Sequence, residues 1–280
     1  MKNIIVILAL ISSITLVSCE ETIKLDLKQI NPKVVIEGMI TDQPNMQYVK
    51  LTRSANFYAD GETPRITNGT VTVKDDQDNT YVFVHNPENK KELEGIYYPE
   101  TPFTGVVGRT YFLTVLVDDQ KFEAQDKLNP VTNVDSVTFK LDEDEKKDPK
   151  KAGKYYSMLI YAKEPKPSVD YYLFKFYRND TLVFDDESDV YFSDDANIAE
   201  NIDGIEGASH FGIGDTASVQ FYSLDHDAFI YYNDLANLLQ NAGGIFGSPP
   251  ANSRTNLTNG ALGFFQVSAV SSASAVLKKK

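Results

Sequence analysis

The side chain with the most definite chemistry in this sequence belongs to its single cysteine. Leu16-Val17-Ser18-Cys19 closes a short apolar stretch, Ile4–Val17, that follows Lys2. A small residue before a cysteine at the end of such a stretch is what a lipoprotein signal peptidase requires. The stretch is also shorter than the ~20 apolar residues with which a helix crosses a bilayer. The expectation is a signal peptide over residues 1–18, Cys19 as a lipid-bearing, palmitate-type N-terminus, and a lipidated tether over 19–30. A sulfur held in a thioether leaves the mature chain no thiol, disulfide or Cys-ligated metal. Each buried acyl CH₂ adds ~0.8 kcal/mol to anchoring, so the chain is expected to be held on a membrane and not to span it.

No catalytic set accompanies this cysteine. His85, His210 and His226 stand apart without the His-Glu-x-x-His spacing of a zinc site, and Ser209-His210 are strand neighbours that point to opposite faces. A Gly-x-Ser-x-Gly elbow is absent. The reading is therefore not an enzyme, with no catalytic residue, no metal and no cofactor. Two acidic runs invite calcium, Asp75-Asp76-Gln77-Asp78-Asn79 and Asp185-Asp186-Glu187-Ser188-Asp189 with Asp194-Asp195. The first lacks the glycine and distal glutamate of an EF-hand and reads as a hairpin turn; the second reads as a solvated mobile loop. Tyrosine pairs at Tyr97-Tyr98, Tyr155-Tyr156, Tyr171-Tyr172 and Tyr231-Tyr232 would each turn one ring outward from a strand, a possible stacking platform for sugar or peptide. Ligand-binding residues stay unknown on this evidence.

These groups must be positioned by strands. Short β-branched and aromatic runs at Val34–Ile40, Tyr48–Thr52, Thr70–Lys74, Tyr81–Val84, Tyr111–Val117 and Lys121–Ala124 are separated by polar turns. They predict an immunoglobulin-like or prealbumin-like β-sandwich over residues 31–130. A second β-rich domain with acidic loops is expected over 131–280. Its strands are Val134–Leu141, Tyr155–Ala162, Tyr171–Tyr177, Thr181–Phe184 and Leu262–Val267, followed by a Ser/Ala tail. One helix is expected near 227–241, capped by Asp225 or Asp227 and ended by Gly243-Gly244. The fold class is mainly β. A net charge of −13, or −14 once Lys2 leaves with the signal peptide, argues against nucleic acid and against anionic headgroups.

Read in order, Cys19-Glu20-Glu21, Val34–Asp42, Val49–Ser54, Gly95-Ile96-Tyr97, Gly105, Gly108, Tyr111-Phe112-Leu113, Pro249-Pro250, Asn256 and Leu262–Phe265 resemble the Bacteroidetes outer-membrane lipoproteins of the DUF4249 type. That family is of unknown function and is typically found beside TonB-dependent transporters. Asn79-Thr80 stands where the pattern leads one to expect a glycine turn, and Asp185–Gly207 matches no part of it. The acidic residues after Cys19 resemble a surface-export signal, and Asp135-Ser136-Val137, Asp180-Thr181-Leu182 and Asp215-Thr216-Ala217 resemble the O-glycosylation sequon of that phylum. The resemblance implies an outer-membrane, lipid-anchored protein exposed at the cell surface or facing the periplasm. As a partner of a TonB-dependent transporter it would assist or capture ligand in nutrient uptake. The alternative is a structural or adhesive surface lipoprotein without a transport partner.

Overall fold

The computed structural model describes residues 31–55, 63–147, 153–163, 170–186, 188–195, 201–240 and 252–279. Cys19, the signal peptide, the tether and Gly243-Gly244 lie outside them. The strands are β1 Val34–Thr41, β2 Tyr48–Arg53, β3 Thr70–Asp75, β4 Thr80–His85, β5 Ile96–Pro99, β6 Thr110–Val117, β7 Gln120–Lys127 and β8 Val134–Leu141. Then come β9 Lys154–Lys163, β10 Tyr171–Arg178, β11 Thr181–Val183, β12 Tyr191–Asp194, β13 Asn201–Gly212, β14 Thr216–Leu224, helix α1 His226–Gln240, β15 Leu262–Ser268 and β16 Val270–Val276. The chain is mainly β with one α-helix among the described residues.

Alternation builds the first sheet. In β3, Val71 and Val73 are buried while Thr70 and Lys74 are exposed, as a strand with one face on a core requires. Eight strands join in the order β15-β1-β2-β5-β4-β3-β6-β7. The single sheet rolls until its two edges meet, so the faces expected of a sandwich are opposite walls of one barrel-like sheet. Ile36, Ile40, Val49, Leu51, Val71, Val73, Leu113, Val115, Phe122 and Phe265 fill its interior. Two-residue loops with positive φ at both positions, Asp118-Asp119 and Asn179-Asp180, turn β6 into β7 and β10 into β11. Such primed turns match the right-handed twist of the strands they join. At the β3–β4 turn Asp78 takes φ 63°, so an aspartate supplies the left-handed residue beside Asn79-Thr80.

The edges are joined by side-chain bonds and by one isolated bridge, Asn129↔Ser268, and not by a paired ladder among the described residues. Val267 N donates to Asp126 Oδ2 (2.6 Å), and Asn256 Nδ2 donates to both Gln125 O (3.2 Å) and Phe265 O (2.8 Å). Phe265 N returns a bond to Asn256 Oδ1 (3.0 Å). β15 lies parallel to β1, with Val35 opposite Leu262 and Thr41 opposite Ser268. At Gly263, φ is +94° and a Cβ would stand 2.1 Å from Ile36 O, so only glycine lets the two strands meet there. β15 comes from beyond the expected boundary at residue 130, so the strands do not sort into two sets there, and Pro32–Lys280 groups as one compact unit.

The remaining strands form a sheet ordered β11-β10-β14-β16, with β12 also on β10, and a sheet ordered β13-β9-β8. A core of Val137, Met158, Ile160, Phe176, Ala208, Phe211, Val219 and Phe221 lies between them. The expected Ser/Ala tail is β16, which pairs with β14 from Val270↔Tyr222 to Val276↔Thr216. The expected acidic loop region contains β12 and the start of β13. Asp225 caps α1: its Oδ1 accepts from Ala228 N at 2.7 Å.

Candidate functional site

The histidines do not converge. His85 Nε2 accepts from Gly95 N (2.9 Å), and His226 sits at the exposed start of α1 with its ring edge toward Tyr171. His210 lies 3.5 Å from Asp142 Oδ2, while Arg178 Nη1 donates to the neighbouring Ser209 Oγ (3.3 Å) and to His210 O (2.8 Å). Among the described residues no group of three or more His, Cys, Asp or Glu is placed to hold a metal.

The acidic runs are tied by protein donors. Asp75, buried in the β3–β4 turn, accepts from Gln77 N (3.0 Å), Asn79 N (2.9 Å) and Arg109 Nη1 (2.6 Å), and Asn79 Nδ2 donates to both its oxygens. Burial alone would raise its pKa, but these bonds together outweigh burial and hold the carboxyl below the usual range. In the second run, Asp185 Oδ1 accepts from Ser209 N (2.7 Å), and the Tyr191 hydroxyl donates to Asp189 Oδ2 (3.0 Å). Asp185 N donates to that same hydroxyl (2.8 Å). Of the three sequon-like hydroxyls, Ser136 and Thr181 are exposed and Thr216 is half-buried.

The paired tyrosines do not form one platform. Tyr97 is in the barrel core, where its hydroxyl donates to Ile66 O (3.1 Å), while Tyr98 faces outward. Tyr172 is buried, and Tyr171 packs on Phe229 of α1. Tyr231 stacks on Phe264 (centroids 5.0 Å) and Tyr232 donates to Gln266 Oε1 (2.5 Å). Both α1 tyrosines are thus spent on docking the helix to the barrel wall. Burial first and the Glu37 charge second push the Tyr48 and Tyr231 hydroxyls up to about 12.

A cavity of about 330 Å³ lies where the two smaller sheets face each other. It follows from alternation along β10: Tyr172, Phe174 and Phe176 take one face, Leu173, Lys175 and Tyr177 the other. Phe174 and Phe176 share the lining with Phe221 of β14, Tyr191 of β12 and Ile160, Ile202 and Ile205 of the opposite sheet. Phe174 and Phe221 pack edge to face at 4.7 Å. Gly207 leaves room for this wall, since a Cβ there would lie 3.0 Å from Phe176 Cε1. Ser193 and Glu206 are polar members, and Glu206 Oε1 accepts from Lys140 Nζ at 3.2 Å. Tyr191 contributes its ring while its hydroxyl is held by Asp185 and Asp189; burial, above all, raises that hydroxyl well beyond its ordinary pKa. This arrangement can hold an apolar ligand and offers it no activated nucleophile.

Sequence reasoning missed this cavity. Its signal was present in the aromatic alternation of Tyr172-Leu173-Phe174-Lys175-Phe176, which put three rings on one face and a lysine on the other. The opposite wall, β13, carries glycines and register shifts between Asp203/Ile205 and Glu206/His210 that erase any period. The chain matches the family described as a domain of unknown function (DUF4249) over residues 20–274. No curated protein matches it.

Proposed function

We propose that this chain, which belongs to the DUF4249 family, a domain of unknown function, is a non-enzymatic outer-membrane lipoprotein that captures an apolar ligand as accessory to a TonB-dependent transporter. The observation that carries the ligand-capturing half is the phenylalanine-lined cavity between the β10 and β13 sheets. A core packed to ordinary density would close such a space, and an apolar lining with a polar rim is the usual make-up of a ligand site. The anchor and the transporter partnership rest on Leu16-Val17-Ser18-Cys19 and on the family resemblance.

The test has two arms. A neutral fluorescent probe, N-phenyl-1-naphthylamine, is expected to bind the mature chain, and Ile205→Trp at the half-exposed mouth is expected to weaken it about tenfold. Unchanged binding in that variant would remove the cavity from the reading. Gentle detergent extraction followed by pull-down should bring a β-barrel transporter with the protein, and a clean monomer counts against the partnership. One observation favours the adhesive alternative: Val82 of β4 and Phe112 and Leu116 of β6 are exposed on either side of β3 on the barrel's outer wall.

A further inference from the structure

A second concave site lies on the barrel, with no residue in common with the cavity between the smaller sheets. It is a pocket of about 440 Å³ lined by Asn45, Gln47, Pro87, Glu88, Tyr98, Pro99 and Pro102. Gln47 is 1% exposed, and its Nε2 donates to Thr41 O (2.9 Å) and Gln43 O (2.8 Å). Two carbonyl acceptors on one side fix the amide's orientation, because flipping it would set oxygen against oxygen. The other end, Oε1, is buried and has no hydrogen-bond partner among the described residues. A buried acceptor left without a donor is destabilising, so a position of this kind calls for a partner.

The lining defines that partner's chemistry. Gln47 and Glu88 offer acceptor oxygens, Asn45 and the Tyr98 hydroxyl can both donate and accept, and the three prolines supply no N–H, so a ligand carrying several groups that donate and accept, as hydroxyls do, fits the lining. Among the described residues no cation lines the pocket, and the Glu88 carboxylate is paired with Lys90, so neither an anion nor a cation is favoured over a neutral molecule. The Tyr98 ring and the proline rings offer flat C–H and π surface for an apolar face. Several hydroxyl donors around a ring with an apolar face describe a saccharide. We propose that the Gln47–Tyr98 pocket binds a neutral sugar unit, a ring hydroxyl donating to Gln47 Oε1 and the ring face lying on Tyr98.

The experiment is saturation-transfer NMR on the mature chain with lactose, maltose and cellobiose at millimolar concentration, for wild type, Tyr98→Ala and Gln47→Met. The expected result is transfer from at least one disaccharide, weakened about tenfold, or ~1.4 kcal/mol, in Tyr98→Ala with an unchanged melting temperature. Gln47→Met is expected to abolish it; because that change also removes two bonds to the loop, the surface variant Tyr98→Ala is the deciding one. Ile205→Trp should leave sugar binding intact, which separates this site from the apolar cavity. No transfer from any of the three sugars, equal transfer in wild type and Tyr98→Ala, or binding of a soluble proline-rich peptide in their place would overturn the proposal.

Discussion

The carboxyl groups of Asp126 and Asp225 lie against each other where the end of β7 meets the start of α1. Asp126 is buried and accepts from Val267 N and Lys127 N, both at 2.6 Å, while Asp225 caps the helix through Ala228 N. One contact between two acids thus joins the barrel's closing seam to the only α-helix among the described residues. Burial first, and the Asp225 charge second, push Asp126 well above the usual carboxylate range, more than the two backbone donors pull it down. Burial and the neighbouring charge therefore favour the protonated form of the Asp126 carboxyl.

That proton makes stability fall with rising pH. The folded state binds it more tightly than the unfolded chain, whose aspartates titrate near ~3.9, so the contribution is complete below that value and is lost as pH rises toward the native pKa. Asp75 runs the other way: held low, it stabilises above the unfolded value and that share is lost as pH falls through its native pKa. Calorimetry should show wild type exceeding Asp126→Asn by more at pH 5 than at pH 8. A difference that does not change with pH would mean that Asp126 is ionised in the fold.

The barrel seam has its own test in Asn256. Its amide bonds both backbone groups of Phe265 and reaches Gln125 O across the closure. Asn256→Ala leaves those groups without partners, and is expected to cost about 2–4 kcal/mol in urea denaturation. Asn256→Asp keeps only the bond from Phe265 N and should fall between the two. A loss below 0.5 kcal/mol, the ordinary scatter of surface changes, would show that the seam closes without Asn256.

Strands were legible wherever the two faces differ in chemistry. Val134–Leu141 is a strand with the bounds its alternation predicts, and α1 begins one residue before the expected 227. β16 was hidden because Ser271, Ala273 and Ala275 are too small to register as a buried face, though they cover Val219 and its neighbours. The parallel pairing of β15 with β1 joins residues more than two hundred positions apart, and no local pattern encodes it. Asp126 was readable in principle: it continues the inward register of Phe122 and Ala124, where a charged residue is out of place. Gln47 was not, since its unpaired oxygen is a property of the loop around it and not of its neighbours in sequence.

Lipidation of Cys19 is tested apart from the fold. Cys19→Ala is expected to leave a precursor with its signal peptide uncleaved and no incorporated fatty acid, because both steps use the same sulfur. Acyl label persisting in that variant would place the anchor elsewhere and remove the basis for an outer-membrane address.

Tyr191 gives the last prediction, because one hydroxyl serves two carboxylates while its ring packs edge-on against Phe176 at 5.1 Å. Tyr191→Phe keeps the ring and deletes the shared donor. Asp185 and Asp189, whose carboxylates both reach that hydroxyl, then lose it while lying closer together than the ~8 Å Debye length at physiological salt. The variant should lose about 1 kcal/mol, and the loss should shrink when salt is raised. In wild type these oxygens already have protein donors, so millimolar calcium is expected to leave the melting temperature where it was. A calcium-dependent rise that disappears when Asp185, Asp186 and Asp189 are changed to Asn would instead make this turn a cation site held in reserve by Tyr191.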